Sequence, residues 1–253
     1  AMKVASGFYR NPEQGLPTGS GLVLVFDATT GFPLALLQDN AYLTELRTGA
    51  AGALATRSLA PEGALAVAVL GAGSQARYQL RAISGVRDVT SVRVWSPIPE
   101  EGPAYKAEME SVLGAPITPV GSVEEAVDGA DLVVTVTPAR DPFLEAAWLK
   151  TGVTVVAVGS DGPEKQELAA GVLGEGTKVV VDSARQCLSL GETHHAVSAG
   201  VLRAEDIHAE LGEVVLGTKP GREGDERIVC DLTGVGAQDA AIAGEVWKAL
   251  RTE

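Results

Sequence analysis

The chain has 253 residues, long enough for one large or two smaller domains, and its 45% hydrophobic content supports a substantial core. A formal charge of −13 with no basic cluster excludes nucleic acid and anionic membrane surfaces as natural partners. Two distant cysteines, Cys187 and Cys230, form no C-x-x-C pair, so a reducing cytoplasm is expected. No apolar run approaches the roughly 18 residues of a membrane span, and no signal peptide is recognisable. The abrupt start Ala1-Met2-Lys3-Val4 reads as a tag scar followed by a truncated or internally started domain.

Residues 1–44 read as β structure. Gly21–Phe26 and Phe32–Leu37 flank the turn Asp27-Ala-Thr-Thr-Gly31, which predicts a hairpin. Thr44–Leu59 follows a helical pattern, with Thr44 as N-cap and small residues crowding one side. From Leu65, strands and helices alternate. Strands are predicted at 65–70, 89–95, 131–137, 153–158 and 178–181. Helices are predicted after Gly73 and at 103–113, 120–128 behind Ser122, and 163–173. Residues 183–225 read as helical and loop-like, including a helix at 204–216. A last strand, 227–232, precedes an amphipathic helix, 238–250, with Ala241, Ile242, Val246, Ala249 and Leu250 on one face.

This order predicts an α/β fold, a doubly wound parallel sheet of the Rossmann kind with a smaller discontinuous α+β domain. The predicted division is a dinucleotide-binding domain at 61–225 and a substrate and dimerisation domain made of 1–60 with 226–253.

The stretch Val67-Ala-Val-Leu-Gly71-Ala-Gly73-Ser-Gln-Ala76 carries the most chemistry. A strand, a Gly-x-Gly-x-x-Ala turn and a helix start form the dinucleotide fingerprint. Gly71 permits the sharp turn, Gly73 the approach of a pyrophosphate, and Ala76 close helix packing. The helix N-terminus supplies free N–H groups and partial positive charge. The acid usual at the end of the second strand is absent, for the sequence there is Trp95-Ser96-Pro97. Ser96, helped by Arg93 or Arg77, would accommodate a 2′-phosphate, so NAD and NADP both stand.

Asp161, just past the strand 153–158, reads equally as a turn residue or as a carboxylate that handles an amine proton. Thr135 and Thr137 end the preceding strand, beside the same crevice, as cofactor contacts or as plain strand residues. Arg47 lies among small and apolar neighbours and needs an anionic partner, such as a substrate carboxylate. Lys3, on its own, reads as a surface lysine. Thr233-Gly234-Val-Gly236 gives a second glycine-rich helix start. His194, His195 and His208 have no metal-ligand spacing, and no Gly-x-Ser-x-Gly elbow or P-loop lysine is present.

Taken together, several stretches resemble the ornithine cyclodeaminase/μ-crystallin family, its alanine-dehydrogenase-like branch in particular. They are Asn11–Pro17, Gly31–Ala35, Tyr42–Ala51, Gly71–Ala76, Val158–Pro163, Gln166–Leu168 and Asp231–Asp239. The resemblance implies an NAD- or NADP-dependent homodimer acting on an amino acid or cyclic imino acid, pairing through its first domain. It implies that Lys3 and Arg47 bind the substrate carboxylate and that Asp161, with Lys3, is catalytic. Gly71, Gly73, Ser74 and Gln75 would contact the pyrophosphate, with Thr135 and Gly234 near the nicotinamide. It also implies one cleft bounded by Lys3, Arg47 and Asp161 over the Gly71 turn, and a family segment before Lys3 that this chain lacks. Three activities fit the resemblance: hydride transfer at Cα through an imine, ornithine cyclodeamination with catalytic NAD, and ligand binding without catalysis.

Overall fold

The computed structural model describes residues 1–8 and 10–251. The chain divides into two compact units, Ala1–Thr48 with Val235–Glu253, and Gly49–Gly234.

In the first unit, β1 (Met2–Gly7), β2 (Gly19–Phe26) and β3 (Pro33–Leu37) form an antiparallel sheet in the order β1-β2-β3. The β2–β3 turn is held by Asp27, whose carboxylate accepts the N–H groups of Thr29 and Thr30. Alternation puts Val23, Val25 and Leu37 on the buried face. They pack against Ala243, Ile242, Val246 and Trp247 of α8 (Gly236–Leu250). The buried stripe of α8 is therefore centred on Ala243, and Leu250, expected to be covered, is exposed.

The helix α1 (Tyr42–Leu59) starts earlier than the sequence suggested. Its cap is Asp39, whose carboxylate accepts the Leu43 N–H at 2.7 Å, and not Thr44.

The second unit holds an eight-stranded sheet. Its strands are β4 (Leu65–Leu70), β5 (Val89–Trp95), β6 (Ile117–Pro119), β7 (Leu132–Thr135), β8 (Thr154–Ala157), β9 (Thr177–Val181), β10 (Ala209–Glu210) and β11 (Arg227–Asp231). Their order is β10-β9-β11-β8-β7-β4-β5-β6, and every pairing is parallel. The last strand thus lies inside the large sheet, between β8 and β9. Residues 49–60 and 226–234 also belong to the large unit, which moves both expected boundaries.

Period-2 alternation builds two cores, one on each face. Val67, Val69, Val92, Val94, Val134 and Val156 face α2 (Ser74–Ser84), α3 (Glu101–Leu113) and the later turns of α1. Ala68, Leu70, Val133, Val155, Val179 and Val181 face α4 (Val123–Val127), Val172 and Cys187. Near-continuous apolar strands are what a sheet covered on both faces requires. Leu80 and Ile83 of α2 are fully buried, each contributing roughly 2 kcal/mol of hydrophobic burial. Ser122 caps α4 by accepting the Glu125 N–H at 3.1 Å.

Two expected helices do not form as drawn. Over 163–173 only the single turn Ala170–Leu173 is helical. The carboxylate of Glu192 takes the N–H groups of Glu167 and Leu168, so those groups cannot join a helical ladder. The 204–216 segment divides into a turn at Ala204–Asp206, the strand β10 and the short helix α7 (Leu211–Val215), because β10 adds to the edge of the sheet.

Candidate functional site

The carboxyl ends of the central strands stand level. Leu70 pairs in register with Trp95 on one side and Thr135 on the other. From β4 the chain goes to β5 on one side and later returns to β7 on the other. This is a topological switch point, where ligand crevices form in such sheets.

The glycine turn lies at that point. Gly71 has φ 111°, and its N–H donates to Trp95 O at 2.8 Å. A Cβ on Gly71 would lie 3.0 Å from Thr137 Cγ2 and from the Val136 carbonyl oxygen. Gly73 is the N-cap of α2, with no side-chain cap, and a Cβ placed on it would meet nothing within 4 Å. The α2 N-terminus therefore opens on free space. Gly73 and Ser74 are exposed and Gln75 is half-buried, while Ala76 is fully buried under the sheet. The arrangement fits an anion resting on backbone N–H groups.

Arg77 and Arg93 do other work. Arg77 donates to Ala72 O (2.6 Å), Gly73 O (3.0 Å) and Glu108 (2.6 Å), bracing the turn from below. Arg93 donates to the carbonyls of Glu125 and Asp128. Neither guanidinium serves Ser96, whose hydroxyl instead donates to Glu101 at 2.6 Å.

Thr135 and Thr137 are buried, and their hydroxyls do not face an open crevice. Both donate to Glu167, at 2.6 and 2.8 Å. The same carboxylate accepts the N–H of Thr137 (2.6 Å) and of Gly159 (2.9 Å). Glu167 thus ties the ends of β7 and β8 together. Nothing local marks this role, because the two threonines it joins lie 32 and 30 positions away.

Beyond Gly159, Ser160 Oγ donates to Lys165 O at 2.5 Å, and His195 Nε2 meets the same carbonyl at 2.9 Å. On this pinned loop Asp161 stands out, its side chain 60% exposed. Lys165 Nζ lies 2.6 Å from Asp161 Oδ1 and fixes the carboxylate by an opposite charge. Gly234 has φ 82°, its N–H donating to Asp182 (2.7 Å) and its carbonyl accepting from Gln186 (2.7 Å), so its backbone polar groups are committed within the protein.

Three carboxyl groups are buried behind the strand ends. Burial pushes Glu167 up to about 7, against the pull of its four hydrogen bonds. Burial likewise raises Asp231 to about 6 and Glu192 well above its ordinary value. The folded chain therefore holds protons that the unfolded chain releases between the ordinary carboxylate values, 3.8 to 4.5, and about pH 7. Stability is expected to fall as pH rises through that window, by on the order of 3 kcal/mol for each of Glu167 and Asp231. His195, held low by burial, acts in the opposite sense, but it is one partly exposed group. Urea unfolding between about pH 5 and pH 8 checks this. A free energy that is flat or rises over that range contradicts it.

In the first unit Lys3 is not a surface lysine. Its side chain is 16% exposed, and Nζ lies 2.8 Å from Asp239 Oδ1. Arg47 Nε lies 3.1 Å from the same oxygen, and Arg47 Nη1 donates to Gln238 Oε1 at 2.9 Å. Two cations from β1 and α1 thus converge on one acid in the first turn of α8. The cluster keeps a net charge of +1, which suits one carboxylate ligand. Asp239 is the anionic partner that Arg47 required, a role hidden in what read as a helix start.

A groove of about 1150 Å³ lies at the opposite, amino ends of the strands. Its Arg87, Lys150 and Arg222 are spent on the carbonyls of Gly63, Gly129 and Leu59, which leaves them structural work. Among the described residues no group of three or more His, Cys, Asp or Glu is placed to hold a metal ion.

A parallel sheet with an open glycine turn at its switch point defines a dinucleotide-binding architecture. The chain belongs to the ornithine cyclodeaminase/mu-crystallin family, whose family profile matches residues 1–253. It is 40% identical over 240 residues to the alanine dehydrogenase of Archaeoglobus fulgidus, covering 94% of this chain and 73% of that protein. The structure of an archaeal alanine dehydrogenase dimer with bound NAD superposes with a TM-score of 0.92 at 38% identity, over 99% of this chain and 77% of the other. The Delta(1)-pyrroline-2-carboxylate reductase of Thermococcus litoralis, in complex with NADH and L-proline, gives 0.93 at 34% identity, over 99% and 78%.

Proposed function

We propose that the chain is an NAD(P)-dependent oxidoreductase of small amino acids or cyclic imino acids. The observation that carries this reading is the uncapped α2 N-terminus beside Gly73, with open space where a pyrophosphate would rest. Gly71, Gly73, Ser74 and Gln75 hold the dinucleotide, with Ser96 on its ribose side. When bound, the nicotinamide supplies or accepts a hydride.

The protein's own groups do the rest. Lys3 and Arg47 bind the substrate carboxylate, and their single net positive charge orients the Cα–H bond. Asp161 engages the amine or imine nitrogen and moves its proton. Thr135, Thr137 and Gly234 act indirectly: Glu167 and Asp182 fix the backbone at the strand ends. In the oxidative direction the substrate becomes an imine, and water converts an open-chain imine to a 2-oxo acid with release of ammonia. In the reductive direction a cyclic imine becomes a cyclic amino acid.

A substrate panel tests this. Oxidation of reduced cofactor by pyruvate with ammonia, or by a pyrroline carboxylate, is the expected result. Conversion of ornithine to proline and ammonia without net cofactor reduction would replace this reading by a cyclodeaminase. Tight cofactor binding with no turnover of any amino or imino acid would replace it by a binding protein.

The quaternary proposal is a homodimer. One face of the β1–β3 sheet is covered by α8, whereas Met2, Val4, Phe26, Leu34 and Leu36 leave an apolar outer face exposed. A second copy is the occupant we assign to it, in keeping with the dimer of the archaeal relative. Sedimentation should find a dimer that Leu36→Glu breaks, and a wild-type monomer would refute the assignment. Among the described residues no helix is long and apolar enough to cross a membrane. Both cysteines are free and buried, which supports the cytoplasm as the working compartment.

A further inference from the structure

The end of β5 carries no acid of its own, yet a carboxylate is there. Gly71 N–H donates to Trp95 O at 2.8 Å, so the next residue, Ser96, stands beside the glycine turn. In a sheet of this order, the group at that place meets the ribose of the adenosine. The Ser96 hydroxyl donates to Glu101 Oε2 at 2.6 Å and accepts the Ile98 N–H at 3.2 Å. Its one proton is thereby spent. Glu101 comes from the first turn of α3 and is half-buried. Its Oε1 has no hydrogen-bond partner among the described residues.

No cation balances it for an incoming phosphate. Arg77 is spent on the carbonyls of Ala72 and Gly73 and on Glu108. Arg81 lies 3.6 Å from Glu108, and Lys106 pairs with Glu110 and the carbonyl of Ile117. Arg93 is spent on the carbonyls of Glu125 and Asp128. The residue before Glu101 is the exposed Glu100, a second negative charge. A ribose 2′-hydroxyl is a donor that an unpaired carboxylate oxygen accepts. A 2′-phosphate brings about two negative charges to the same oxygen and finds no guanidinium.

We infer that Glu101, held by Ser96, is the specificity-determining residue of the cofactor site, and that the enzyme selects NAD(H) over NADP(H). The acid that this fold usually carries at the strand end is supplied here from the following helix. On this inference Ser96 positions Glu101 and does not accommodate a 2′-phosphate. The inference rests on the dinucleotide reading of the glycine turn.

The test is equilibrium binding, read by quenching of protein fluorescence on titration with NADH and with NADPH. NADH is expected to bind about 10²-fold more tightly than NADPH. In Glu101→Gln, which keeps an acceptor for Ser96, the gap is expected to shrink about tenfold or more. Part of that change should come from tighter NADPH binding, which a merely loosened fold would not give. Equal affinities in the wild-type protein, or a ratio unmoved by Glu101→Gln, would overturn the inference. Gly73→Ala separates the two readings: it adds a methyl group where nothing else stands, and it should weaken both cofactors at unchanged melting temperature. If the wild-type protein binds neither nucleotide, the dinucleotide reading itself fails.

Discussion

Asp161→Asn is expected to lower kcat by about 10³-fold while leaving the affinity for NADH unchanged. The magnitude is that of a general acid–base group, about 10²- to 10⁴-fold. Asparagine keeps the shape of the side chain but can neither take nor return a proton on the substrate nitrogen. It also loses the charge that pairs with Lys165 at 2.6 Å. The loop does not depend on that pair, for Ser160, Gly159 and His195 pin it through their own bonds. The glycine turn is untouched, so cofactor titration is the internal control. Steady-state kinetics beside that titration checks the prediction. A variant with near-normal kcat would remove Asp161 from the chemistry.

Arg47→Ala is expected to act on the other half of the substrate, cutting kcat/KM by about 10³-fold, mostly through KM. Loss of a desolvated, charge-assisted pair is worth roughly 3–5 kcal/mol. The side chain is 14% exposed, so little solvent screens it. The fold has two supports after the change. Lys3 still meets Asp239 at 2.8 Å, and alanine is the better helix former within α1. Arg47→Lys should recover only part of the loss, because a point charge cannot reproduce the guanidinium fork. Kinetics with alanine and with a substrate lacking the carboxylate would check this. The variant should lose its advantage for the carboxylated compound, and an unchanged KM would refute the assignment.

Much of the architecture is legible in the residues because it is local. Runs such as Leu65–Leu70 and Thr177–Val181 are apolar on both faces, as only a doubly covered strand can be. Gly71 and Gly73 are readable because a sharp turn and an open approach both demand the loss of a side chain. What was not legible depends on partners distant in sequence. The helical pattern at 163–173 is defeated by Glu192, which arrives from α6 (Gly191–Ser198) to take two N–H groups. The place of β11 inside the sheet follows from pairing with β8 and β9, which periodicity does not encode.

The site divides the same way. Arg47 declared its need for an anion through its apolar neighbours, but Asp239, nearly 200 positions later, gave no sign of being that anion. Thr135 ends β7 and Thr137 lies two residues beyond it, yet both hydroxyls turn to Glu167. A buried glutamate between Gln166 and Leu168 looks, in sequence, like any polar residue of a loop. The Ser96–Glu101 pair is not legible because its acid comes from the first turn of α3 and not from the strand end.

The most direct measurement follows a label. With NADH deuterated on the transferred face of nicotinamide C4 and a cyclic imino acid or pyruvate with ammonia as acceptor, the product amino acid should carry the deuterium at Cα. Mass spectrometry and proton NMR of the product read this. Product formed with protium at Cα, or no transfer of label with any amino- or imino-acid partner, would contradict hydride transfer as the work of this chain.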